Sequence, residues 1–187
     1  MNIWVLPRKI EIGGKVWHHA TDYRDILKIV RVFQNAENEQ FAPLCAAILF
    51  YRDPLFHADA KEMEALMAYM VDFINCGQVQ DICLCAGIID WELDAQEILE
   101  GVNAAAGIDI REKEELHWWS FMSLFHCIGK GRLSDLVAIR WKLQTGKPLT
   151  DEEKAYVRAC PEKFRPKETE ADKAYRKQLE EMLNSEC

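Results

Sequence analysis

Apolar residues recur every three or four positions along most of this chain, and a glycine or proline follows most of the runs. This spacing places them on one face of a helix, and such a face is normally buried against other helices. The run that shows the spacing most clearly is Tyr23, Ile26, Leu27, Val30 and Phe33. The pattern predicts a mainly α fold, a compact bundle of helices near 21–33, 41–51, 59–76, 90–107, 112–127 and 133–144.

Strand chemistry is confined to the N-terminal part. Lys9–Ile12 and Lys15–His18 alternate in polarity, and Gly13-Gly14 lies between them, which is typical of a tight hairpin turn. We therefore predict a small β-hairpin that rests on the helices, because an isolated hairpin is only marginally stable. The short apolar stretch Ile82–Cys85 does not show which type of element it forms.

The C-terminal part differs in composition. Residues 146–187 contain 9 basic and 10 acidic residues, so this segment can bury little of its surface. Thr150 followed by Glu153 is a capping-box pattern, and 168–183 reads as a solvated helix. We predict two parts, a compact helical domain with the hairpin over 1–145 and a charged, partly mobile helical arm over 146–187.

Charge and cysteine usage limit the classes of function. With 23 basic and 31 acidic residues the formal charge is −8, which disfavours nucleic acid and anionic membranes as partners. No apolar run approaches the roughly 20 residues that cross a bilayer. Seven cysteines are an odd number, several have apolar neighbours, and no secretion signal precedes them. These features predict a reducing cytoplasm.

The sequence offers little for catalysis. Cys76, Cys83 and Cys85 form the densest thiol cluster, but the spacing lacks a second ligand pair, so buried thiols are favoured over a zinc site. The histidines form no zinc-binding pair at helical spacing, and 129–131 is too short for a phosphate-binding loop. We expect no cofactor, no metal and no enzymatic activity. The alternative is a small metal-dependent enzyme that uses the cysteines and histidines.

The most unusual segment is 116–125, which contains adjacent tryptophans. Trp118, Phe121, Met122 and Phe125 share one helix face, while Trp119 points about a quarter-turn away. A second large aromatic residue there either widens the core or meets a partner. Core packing is the favoured interpretation, since buried aromatic side chains dominate core energetics.

This tryptophan segment resembles the signature of the phage gene-product-fifteen family. Other blocks agree in order, and the resemblance covers roughly residues 10–165. The blocks are Thr21–Leu27, Phe73–Gly77, Asp90–Ala95, Gly107–Asp109 and Leu116–Phe121.

The resemblance implies a tail assembly chaperone of a siphophage or prophage, working in the host bacterial cytoplasm. Such a protein binds and solubilises the tape measure protein before tail tube protein polymerises around it, so tail tube protein is a second expected partner. It implies no catalytic residues. Large aromatic and flexible methionine side chains suit such binding, so Trp119, Met67 and Met70 are the predicted partner contacts. The alternative is a structural or completion protein retained in the tail.

Overall fold

The computed structural model describes residues 4–34, 41–53, 55, 57–77 and 88–164. Internal contacts divide the chain into two compact units, Met1–Pro148 and Leu149–Cys187, close to the predicted boundary after residue 145. The described part of the first unit contains β1 (Lys9–Ile12), β2 (Lys15–His18), α1 (Tyr23–Gln34), α2 (Ala42–Tyr51), α3 (Ala60–Ile74), α4 (Ala95–Ala106), α5 (Trp118–His126) and α6 (Arg132–Gln144). The predicted mainly α fold with an N-terminal hairpin is confirmed.

The hairpin forms as its turn chemistry predicts. β1 and β2 pair antiparallel, with Ile12 opposite Lys15. Gly13 and Gly14 connect the strands with φ angles of 60° and 73°, a left-handed conformation that glycine adopts at little cost. Ile10, Ile12 and Trp17 pack against the core, so the hairpin is supported by the helices.

The first helix follows the predicted stripe except at its C-terminal end. Tyr23, Ile26 and Val30 are buried, and Leu27 packs against the core. Phe33 is exposed, contrary to the prediction, and Ile29 is fully buried in addition. The buried face of α1 is therefore wider than the stripe, and it ends one turn earlier.

The predicted helix from Asp90 is wrong in its first turn. Asp90 instead starts a tight turn in which its carboxylate accepts from the amides of Glu92 and Leu93. The regular helix α4 begins at Ala95, and Gly107 ends it in the left-handed conformation as predicted. The Asp94 side chain, immediately before α4, pairs with Arg140 of α6 and does not cap α4.

The predicted helix over 112–127 is also shorter than expected. A 3-10 turn covers Ile110–Glu112, and α5 begins only at Trp118. The intervening chain is extended because it pairs with the start of α1. The amide of Tyr23 donates to the Leu116 carbonyl at 2.9 Å, and the amide of Trp118 donates to the Thr21 carbonyl at 2.7 Å.

The second unit is described as far as Phe164. Its helix α7 spans Asp151–Ala159, and Thr150 and Glu153 form the predicted capping box, with the Glu153 amide 3.2 Å from the Thr150 hydroxyl. A 3-10 turn follows at Pro161–Lys163. The predicted helix over 168–183 lies outside the described residues, so it and the mobile arm stay predictions. Among the described residues, no helix combines the length and apolar character that spanning a bilayer would require.

Candidate functional site

The adjacent tryptophans of α5 form hydrogen bonds with the C-terminal end of α3. Trp118 is fully buried and Trp119 is 6% exposed. Their indole nitrogens donate to the carbonyls of Ile74 at 2.8 Å and Phe73 at 2.9 Å, which belong to the last turn of α3. Carbonyls at a helix end lack partners within the helix, and the Trp118 indole satisfies that of Ile74. The Phe73 carbonyl also accepts from the Cys76 amide at 3.0 Å, so the Trp119 indole is its second donor.

The burial of Trp119 and Met70 contradicts their prediction as partner contacts. Trp119 belongs to the core, which agrees with the favoured interpretation of the sequence, so it presents no surface to a partner. Met70 is 1% exposed and lies on the inner face of α3, which excludes it in the same way. Met67 is partly buried against the core, and its contact with a partner stays a prediction.

Two histidines, the partly buried His19 and the buried His117, occupy defined hydrogen-bonding positions. His19 Nδ1 lies 2.9 Å from the Ala20 carbonyl and Nε2 lies 3.0 Å from the Tyr69 hydroxyl. The carbonyl can only accept, so Nδ1 carries the proton and Nε2 accepts from Tyr69. Burial lowers the pKa of His19 to about 4. Both histidines, His19 and His117, are thus held neutral inside the fold, since burial also lowers the pKa of His117.

The thiols of the described residues are dispersed. Cys45, Cys76, Cys127 and Cys160 are all free. Burial raises the pKa of Cys76 to about 12, which keeps its thiol protonated and unreactive. Within the described ranges, no three histidine, cysteine or acidic residues converge as a metal site. The remaining cysteines of the predicted cluster, at 83 and 85, lie outside those ranges.

Helix α2 carries the exposed apolar surface that sequence reasoning missed. None of its residues is charged. One side is buried, whereas the other side is solvent-exposed and continues from the residue before the helix. We call this exposed set the α2 stripe: Phe41, Leu44, Cys45, Ile48 and Leu49, whose large apolar members are 38–60% exposed. A helix that is apolar all round is normally buried, so the open side is a candidate interaction surface.

The inner side of α2 is fixed in place, which makes the stripe a stable feature. The Tyr51 hydroxyl donates to the Leu66 carbonyl of α3 at 2.7 Å. The Phe50 ring stacks on His19 with centroids 4.7 Å apart, and the Phe50 carbonyl accepts from the Ala20 amide at 2.7 Å. Burying the stripe within this unit would break these contacts.

Charged groups lie at the C-terminal end of α2. Arg52 follows the helix and bonds to the Asp25 carboxylate at 2.6 Å, and Lys28 bonds to the same carboxylate at 2.8 Å. The hydrogen bond from Lys28, followed by the weaker one from Arg52, lowers the pKa of Asp25. These groups form a polar rim at one end of an apolar surface, an arrangement common at protein interfaces.

Comparison with known proteins then places the chain. The family model described as Bacteriophage Gp15 protein matches residues 5–165. The chain belongs to the bacteriophage Gp15 family. No curated protein and no solved structure matched it. Membership in the Gp15 family indicates a phage structural or assembly protein.

Four of the five blocks that carried the resemblance contribute residues to the core of this Gp15 protein, whereas Gly107–Asp109 lies at its surface. Tyr23 stacks on Phe121 with ring centroids 4.8 Å apart. Trp91 packs against Trp118 at 6.2 Å, and Phe73 supplies a carbonyl to the neighbouring indole. These blocks therefore build the fold, while the α2 stripe lies outside them and is the candidate site of interaction.

Proposed function

We propose that this protein is a phage tail assembly chaperone that binds and solubilises the tape measure protein before the tail tube polymerises around it. The observation that carries the proposal is the α2 stripe, an uncharged and solvent-exposed helix face on a rigid support. The resemblance described above supplies the identity of the partner. Tail tube protein is the second partner in this proposal.

The stripe suits a helical partner. Phe41, Leu44, Cys45 and Ile48 occupy positions i, i+3, i+4 and i+7, which lie along one line of the helix surface. A partner helix with a matching apolar stripe docks on such a line, as in helix-in-groove recognition. The formal charge of −8 keeps the protein and its complexes apart while this surface is open.

The mode of action in this proposal is physical binding. The protein works in the host bacterial cytoplasm, catalyses no reaction, needs no cofactor and engages neither nucleic acid nor membrane. An apolar contact of limited area is reversible, which a chaperone needs because the tube protein must later displace it.

Co-expression with the tape measure protein tests the proposal. The double variant Leu44→Ser, Ile48→Ser removes two central members of the stripe. A matched control, Val71→Ser with Leu143→Ser, removes two comparably exposed apolar side chains from α3 and α6. We expect wild type and control to keep the tape measure protein soluble and to co-purify with it, and the stripe variant to lose both effects. Equal co-purification of all three proteins would contradict the docking role of the stripe.

A structural protein retained in the tail would bind through the same kind of surface. Mass spectrometry of purified phage particles separates the two functions. We expect the chaperone to be absent from the particles, and its presence at stoichiometric amounts would replace this proposal by the structural one.

A further inference from the structure

His117 is the residue on which the N-terminal strap, residues Trp4–Arg8, is fastened. It is buried, at 4% exposure, and stands immediately before α5. Its Nδ1 atom lies 3.1 Å from the amide nitrogen of Trp119, and its Nε2 atom lies 2.9 Å from the carbonyl oxygen of Pro7. One ring nitrogen of His117 thus caps α5, and the other binds the strap.

These two bonds determine the protonation state. A backbone amide can only donate, so Nδ1 must be an acceptor without a proton. A backbone carbonyl can only accept, so Nε2 must carry the proton. The arrangement therefore requires neutral His117 in a single tautomer, and a second proton on Nδ1 would face the amide hydrogen of Trp119.

The backbone on both sides of His117 is also bound. The residues beside it exchange hydrogen bonds with Thr21 and Tyr23 at the start of α1, and an isolated bridge joins Asp22 to His117 itself. The ring has edge-on contacts with Phe73 of α3 and Trp119 of α5. Since His117 is only 4% exposed, a charged imidazole in this position would lack most of its hydration.

The charged and titratable groups around the His117 ring have opposite effects on its pKa, and these effects largely cancel. The strap presents Arg8, which is bonded to Glu115 at 2.8 Å on the segment that precedes His117. The start of α1 presents Asp22, whose carboxylate accepts from the Leu116 amide at 3.0 Å, and the end of the hairpin presents His19. The residues of α3 and α5 whose rings contact His117 are Phe73 and Trp119, which carry no charge. Burial therefore dominates and lowers the pKa of His117.

We propose that His117 is a proton-sensitive latch that holds the first turn of α5 and the N-terminal strap together and releases both when Nδ1 is protonated. The proton removes the acceptor that caps α5, and the charged ring moves towards solvent. Because the same ring carries the Pro7 anchor, the strap loses this anchor in the same event.

Hydrogen exchange followed by mass spectrometry tests the latch at pH 7.5 and pH 5.0, after correction for the intrinsic pH dependence of exchange. We expect peptides that cover 4–12 and 117–122 to lose protection together at pH 5.0, by about fivefold or more, the usual effect of losing a helix cap. Peptides from α6 should not change. The same measurement in a His19→Phe variant should give the same coupled response, which excludes His19 as its source.

The variant His117→Ser distinguishes the hydrogen bond that caps α5 from the hydrogen bond to Pro7. Serine is a good helix cap but cannot reach Pro7, so 117–122 should stay protected at both pH values while 4–12 is less protected than in wild type at both. Retained protection of 4–12 in the variant, or an unchanged wild type at pH 5.0, would overturn the latch. If the variant does not fold, the wild-type comparison alone decides, since loss in one peptide without the other also overturns it.

Discussion

Arg140 and Asp94 form a doubly hydrogen-bonded ion pair that is almost wholly withdrawn from solvent. The guanidinium nitrogens lie 2.5 Å and 2.8 Å from the two carboxylate oxygens. Arg140 also donates to the Ile88 carbonyl at 2.7 Å, and the Asp90 amide donates to Asp94 at 3.0 Å. The pair thereby fixes α6 to the turn that precedes α4.

Breaking this pair should destabilise the protein strongly. Asp94→Ala removes the carboxylate that forms two hydrogen bonds with the buried Arg140 guanidinium, so we expect a loss of about 3–5 kcal/mol in the free energy of unfolding. The double variant Asp94→Leu, Arg140→Met should recover much of this loss because neither charge of the pair remains buried. Urea denaturation measures both. Arg132→Met, at an exposed pair with Glu100, is the control and should change stability by less than about 1 kcal/mol. A double variant no more stable than Asp94→Ala would contradict this account.

The indole hydrogen bonds should contribute separately from the size of the rings. Trp119→Phe keeps an aromatic ring but removes one of the two donors to the Phe73 carbonyl, which retains the Cys76 amide, so we expect a loss of about 0.5–1.5 kcal/mol from the hydrogen bond. Trp141→Phe, which changes a half-exposed indole on α6, should stay within about 0.5 kcal/mol of wild type. Thermal or urea unfolding compares the two. Similar losses in both variants would show that the bond to α3 contributes little.

Acidification should reduce stability before the carboxylates titrate. The folded protein holds His19 neutral with a pKa of about 4, whereas the unfolded chain protonates it near 6.5. The unfolded state therefore binds more protons, and the free energy of unfolding falls as pH decreases from about 6.5 towards 4. The contribution is fully present above that range. Urea unfolding at pH 7.5, 6.0 and 5.0 measures the slope, which His19→Phe should reduce. An unchanged slope in the variant would exclude His19 as a cause.

The two glycines of the hairpin turn should differ in their tolerance of alanine. Both have positive φ, which costs an alanine residue about 1–2 kcal/mol. A Cβ atom at Gly14 meets open space, but one at Gly13 collides with the Glu62 carboxylate. Glu62 also pairs with Lys15 and completes the capping box of α3. We therefore expect Gly13→Ala to lower the melting temperature more than Gly14→Ala, and the reverse order would contradict the close contact.

Local patterns predicted those parts of the fold that local chemistry determines. The hairpin followed from alternation around two glycines, and the capping box at Thr150 followed from residues three positions apart. The start of α5 could not be predicted in this way. It depends on hydrogen bonds to Thr21 and Tyr23, which are about ninety residues away in the sequence.

The candidate site was missed for a related reason. A helix without polar residues gives no amphipathic signal, so the sequence of α2 does not show which of its faces is open. The sequence instead predicted Trp119 and Met70 as partner contacts, because their size and chemistry suit binding. Only the three-dimensional structure shows that α3 carbonyls and core neighbours already engage those side chains.

The pairing of Asp22 with the segment before α5 has a consequence for synthesis of the chain. Its carboxylate accepts a hydrogen bond from the Leu116 amide, which lies 94 residues further along the chain. At roughly 5–20 residues per second, a ribosome needs on the order of ten seconds to supply that partner. During this interval α1 can pack on α2 but not on the segment before α5, so cotranslational folding of the N-terminal third is completed only after translation past the tryptophan pair.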